Sequence, residues 1–155
     1  MITSPQEYKE LLNQLIDPNQ YMPHIQMPQD EPIYKIDLNE RKVEAPRFLS
    51  VNEDHNSEVI WFSVDRFFDC YDLYKCTCWI QYINADKEKF YYAAPLFVRG
   101  EQYGSDTVLI PWVISKEVAK KSGSIEFAFE FFTLSEDKTR FVYKLHTSPA
   151  KSQVL

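Results

Sequence analysis

Apolar positions recur with two different periods along this chain, and the change falls near residue 33. Close to the N-terminus Tyr8, Leu11, Leu12, Leu15 and Ile16 stand at i, i+3, i+4, i+7 and i+8, the spacing of one helical face. Ser4-Pro5-Gln6-Glu7 supplies a start signal: Ser accepts from an orphan amide, Pro suits the first helical position, and Glu three residues on completes a capping box. Pro18 ends the pattern, because a residue before proline is pushed out of the α region. A helix of about 13 residues is marginal alone in water, so its stripe is expected to dock, either on its own body or on a partner.

Residues 19–32 carry Pro23, Pro28 and Pro32, which resist helix and central strand and favour an extended linker. Tyr21, Met22, Ile25 and Met27 make it more than a solvated tether, so it is expected to lie along a surface, its own or a neighbour's. From Ile33 the period becomes two. Ile33 to Leu38 reads as a half-buried strand, and Asn39-Glu40 as a turn into Lys42-Val43-Glu44. In Glu58–Arg66, Val59, Trp61 and Ser63 share one face and Ile60, Phe62 and Val64 the other. Further strands are predicted at Cys76–Asn84, Lys89–Pro95, Thr107–Ile114, Ser124–Leu134 and Arg140–His146. Ile125, Phe127, Phe129 and Phe131 form a core-facing stripe, and Ser115–Lys121 before Gly123 reads as one or two helical turns. The expected organisation is a helix over 1–18, a linker over 19–32 and a body over 33–155. The fold class is all-β: an immunoglobulin-like antiparallel β-sandwich with an N-terminal helix and extended linker arm. A true immunoglobulin domain is rejected, because Cys76 and Cys78 share one strand instead of bridging two sheets.

Composition supports this class, with aromatic residues at 15% and only three glycines. The net charge of −6, with no run of Lys or Arg longer than two, lacks the electrostatic footprint of a nucleic-acid binder. No stretch approaches the roughly 20 apolar residues that span a bilayer, and the N-terminus lacks the layout of a secretion signal, so no membrane partner is expected. Three cysteines, Cys70, Cys76 and Cys78, are then expected as free thiols.

Candidate chemistry is sparse. Cys76-x-Cys78 with Cys70 lacks the two-pair spacing of structural zinc, and His24, His55 and His146 show no ligand spacing. Asp65, Asp69 and Asp72 invite a calcium reading but lack a glycine-centred loop and terminal Glu; acidic residues where a strand breaks into a turn explain them as well. Nucleophile elbow, phosphate loop, dinucleotide fingerprint and zincin motifs do not occur. Tyr91 and Tyr92, if exposed, could stack on sugar rings, although burial in an aromatic-rich core accounts for them better. No catalytic residue, metal ligand or cofactor is expected.

The stretches IYKIDLNERKVEAPRFLSVNEDHNSEVIWFSVDRFFDCYDL, WIQYINADKE, LIPWVISKEVAKKSGSIEFAFEFF and FVYKLHTSPAKSQVL together cover most of residues 33–155. They resemble the N-terminal β-sandwich domain of baseplate upper proteins of phages that infect Gram-positive hosts. That resemblance implies a non-enzymatic virion structural protein, made in the host cytoplasm, that docks in the tail or baseplate within a homo-oligomeric or symmetric assembly. Its partners would be other virion proteins, met through the sandwich surface and the arm. The arm residues expected to bind are Tyr8, Leu11, Leu12, Leu15, Ile16, Tyr21, Met22, Ile25 and Met27. The familiar arrangement continues into a longer C-terminal part, which shifts the expectation from receptor binding toward an adaptor. A capsid-accessory, head-fibre or neck protein is one alternative, a carbohydrate- or receptor-binding module another, and a degenerate hydrolase a third.

Overall fold

The capping box at Ser4 starts a helix, α1 (Pro5–Gln14), in which the Ser4 hydroxyl donates to Glu7 Oε1 at 2.9 Å and accepts from the Glu7 amide at 3.2 Å. After it the chain is almost entirely extended. The computed structural model describes residues 4–14, 26–55, 58–98 and 106–155. Its strands are β1 (Ile33–Asp37), β2 (Lys42–Val43), β3 (Val59–Asp65), β4 (Phe67–Phe68), β5 (Tyr71–Asp72), β6 (Thr77–Ile83), β7 (Lys89–Ala94), β8 (Phe97–Val98), β9 (Thr107–Val113), β10 (Gly123–Leu134), β11 (Phe141–His146) and β12 (Ala150–Val154).

The strands form two five-stranded sheets and a separate hairpin of β4 and β5. The first sheet runs β2-β1-β3-β9-β8; the second runs β11-β10-β6-β7, with β12 pairing the first half of β10 below β11. Pairing is antiparallel except between β1 and β3, which lie parallel with Ile33 opposite Trp61. That corrects the expectation of a purely antiparallel body: the chain between β2 and β3 crosses over instead of folding straight back. On its way the crossover segment bridges Ser50 to Val154, and the Leu49 amide donates to the Gln153 carbonyl at 2.8 Å, tying the C-terminal strand to the body.

The core lies between the sheets. Phe62, Val64, Val108, Ile110 and Trp112 from the first sheet meet Ile80, Tyr82, Ile125, Phe127, Phe129 and Phe131 from the second, all buried. Phe62 sits edge-on to Phe129 with centroids 4.8 Å apart, and Trp112 lies 5.2 Å from Phe127. The alternation read along β3 and β10 is therefore the alternation that fills the core. Each such side chain contributes roughly 1.5–3 kcal/mol in transfer terms, an upper bound set by an extended unfolded chain.

Segment 115–121 is a single hydrogen-bonded turn, not a helix: the Val118 and Ala119 amides both donate to the Ser115 carbonyl, and the Lys116 amide donates to His55 Nδ1 at 2.9 Å. Val118 and Ala119 are fully buried, so packing holds a single turn where one or two helical turns were expected. Gly123 follows with φ +140, and a Cβ there would lie 3.1 Å from Ala85 Cβ. It opens β10 in a conformation that L side chains avoid.

Candidate functional site

The second sheet is covered on its outer face by α1. Strand alternation turns Trp79 of β6 and Glu130 and Phe132 of β10 outward, where they would meet water in a two-layer fold. Tyr8, Leu11 and Leu12 of α1 instead pack on Trp79, Phe132, Tyr91, Leu134 and Phe141, and Tyr8, Trp79 and Phe132 are buried to within 1% of full exclusion. The Tyr8 ring sits 4.6 Å from Trp79, 4.8 Å from Phe132 and 4.8 Å from Phe141, the last two edge-on. This is an aromatic socket filled by one plug.

At the bottom of the socket lies a carboxylate. Glu130 is 3% exposed; it accepts from the Tyr8 hydroxyl and from Gln81 Nε2, and Lys144 Nζ stands 3.9 Å from Oε1. Lys144 also sits 4.8 Å above the rings of Tyr8 and Phe141. Burial, then the bond to Glu130, pushes the Tyr8 phenol far above its ordinary value, so it remains a donor. The network satisfies a charge that would be costly to bury unpaired, and it fixes how α1 sits.

The second notable surface is the β4–β5 hairpin. Asp69 and Cys70 occupy its two turn positions with φ of 49 and 67, the left-handed pair that a tight hairpin turn requires. Arg66 grips Asp72 through two bonds of 3.0 Å, from Nε to Oδ1 and from Nη2 to Oδ2, and this contact holds the Asp72 carboxyl below its ordinary value. The guanidinium lies between the rings of Phe67, 5.0 Å away, and Tyr74, 5.5 Å away. Leu73, fully buried, anchors the hairpin to the core. Phe67 and Tyr74 are nevertheless 54% and 44% exposed. On the other face of the hairpin Tyr71, also exposed, stacks on Tyr143 at 3.9 Å.

Several residues singled out from the sequence find ordinary structural employment. Asp72 pairs with Arg66 and caps the 3-10 turn Leu73–Lys75, and Asp69 shapes the hairpin turn. Tyr91 and Tyr92 are half-buried, Tyr91 against Trp79 at 5.1 Å and Tyr92 accepting from the Val113 amide, so neither ring is an exposed sugar platform. Cys70 is exposed, Cys76 half-buried and Cys78 buried, all as free thiols; burial raises the thiol pKa of the latter two. Among the described residues no group of three His, Cys, Asp or Glu side chains could hold a metal ion. The Ser135 hydroxyl donates to Asp137 at 2.6 Å, but the carboxylate is held at about 2 by Ser135 and Thr139, which makes it a turn acceptor and a poor general base.

Of the expected arm residues, Tyr8, Leu11 and Leu12 are occupied by the chain's own second sheet, and Met27 is half-buried. Leu15, Ile16, Tyr21, Met22 and Ile25 lie outside the described residues. The hairpin aromatics escaped sequence reasoning, which credited aromatic residues to the core; the signal was the two-residue turn between Phe67-Phe68 and Tyr71, which forces one face outward. Among the described residues no helix is long and apolar enough to cross a membrane. No protein-family model, curated protein or solved structure significantly matches the chain.

Proposed function

We propose that this chain is a non-enzymatic structural subunit of a phage virion, an adaptor that docks within the tail or baseplate through a rigid, immunoglobulin-like sandwich. The observation that carries the docking role is the hairpin: Phe67 and Tyr74 stand about half in water, yet the forked Arg66–Asp72 pair and buried Leu73 fix them. Aromatic residues and arginine are the side chains that dominate protein interfaces, and a surface ordered before binding loses little entropy on docking. Symmetric repetition then multiplies a weak contact into a firm one. The virion setting rests on the resemblance of residues 33–155 to baseplate sandwich domains.

The test is incorporation of a Phe67→Ser, Tyr74→Ser variant into phage particles in place of the parent chain. Loss of incorporation with an unchanged melting temperature supports the reading; full incorporation overturns the hairpin as the docking surface. A carbohydrate-binding module is the second reading, favoured by the same exposed rings. Saturable binding to a glycan array, abolished by the same two substitutions, would put it first.

A further inference from the structure

The contact between α1 and the second sheet has the construction of a separable plug and socket, and we infer that the socket also accepts α1 from a second copy of this chain. Four observations carry this. The plug is held by side chains: among the described residues no backbone hydrogen bond joins α1 to the body, so exchange breaks no strand pairing. The socket is specific: Tyr8 is gripped by three aromatic rings, and its hydroxyl satisfies Glu130, a carboxylate 3% exposed. An empty socket would leave that carboxylate short of a donor and Trp79 uncovered, while a ten-residue helix is too short to persist undocked. Both halves are therefore driven to find a partner, in cis or in trans. Between them in the sequence lie residues 15–25, with Pro18 and Pro23. Fully extended, the chain from Gln14 to Gln26 reaches about 40 Å, enough to span to an adjoining body. Docking in trans makes the same contacts as docking in cis, so the balance is set by the effective concentration that linkage within one chain supplies against the local concentration of neighbours.

The test uses full-length chains in a Cys70→Ser background, one carrying Leu12→Cys and the other Leu134→Cys, two positions bordering the same cleft of about 260 Å³ beside α1. The chains are unfolded together in urea, refolded at concentrations rising to the millimolar range, and oxidised. Exchange predicts a disulfide between the two chains whose yield rises with concentration and exceeds, by about tenfold or more, that of Leu12→Cys paired with the exposed control Val51→Cys. Yields equal to the control at every concentration overturn the inference. A second arm needs no substitution: the parent chain refolded at the same concentrations sediments as dimer or larger if helices exchange, and as monomer alone if they do not.

Discussion

Replacing Tyr8 by Phe removes one oxygen and leaves the aromatic plug in place. The rings of Trp79, Phe132 and Phe141 keep their partner at 4.6–4.8 Å, so the packing term is nearly unchanged. What is lost is a hydrogen bond to a buried carboxylate, and bonds to charged groups contribute about 1.5–3 kcal/mol. Glu130 keeps Gln81 and the Lys144 ammonium at 3.9 Å, which places the loss toward the middle of that range, about 2 kcal/mol. Because, among the described residues, side chains alone hold α1, the loss is felt first as local release, not global unfolding. Amide exchange at Leu11 and Leu12 should accelerate about thirtyfold, while exchange in β10 and β6 changes little. A cycle combining Tyr8→Phe with Glu130→Gln should show coupling of about 0.5–3 kcal/mol, since the two groups share one bond. Helix exchange within twofold of the parent, or a coupling of zero, would refute the claim that this bond latches α1.

Three further outcomes are expected. The unfolded phenols ionise near 10.0, while burial holds Tyr82 up to about 12 and Tyr8 higher still. The unfolded chain therefore releases protons first as pH rises. Stability from these groups is full below pH 10 and declines above it, by about 1.4 kcal/mol per unit per tyrosine, and Tyr82→Phe should flatten the limb between 10 and 12 in urea titrations. A thiol reagent should modify exposed Cys70 promptly in the native protein but reach Cys78 only on unfolding, and prompt reaction of all three would contradict the buried position. Gly123→Ala should cost about 1–3 kcal/mol, because φ of +140 is closed to alanine and the new methyl lies 3.1 Å from Ala85; a neutral midpoint in urea would contradict that conformation.

The body was legible where one physical rule acted alone. Alternation in β10 placed Phe127 and Phe129 in the core, alternation in β3 put Phe62 and Val64 together on one face, and the capping box at Ser4 placed the start of α1. The expectations that went astray depend on distant partners. β12 escaped notice because Ser152, buried with its hydroxyl on the Pro46 carbonyl, breaks the apolar alternation of a tail that reads as polar. The parallel pairing of β1 with β3 joins segments separated by a crossover, and no local pattern encodes it. Glu130 reads as a solvent-facing residue in its strand, since only the arrival of α1 from the other end of the chain buries it. Ser115–Lys121 has the spacing of one or two helical turns, but with Val118 and Ala119 pinned in the core it forms a single non-helical turn.

The measurement that bears most directly on the proposed role is quantitative mass spectrometry of phage particles purified from cultures that produce this chain. The account predicts the chain in the particles at a fixed copy number that is a small multiple of the tail's symmetry, cross-linked to a neighbouring virion protein through residues of the Phe67–Tyr74 region. Purified particles that lack the chain, or carry it only at variable trace amounts removed by washing, would contradict it.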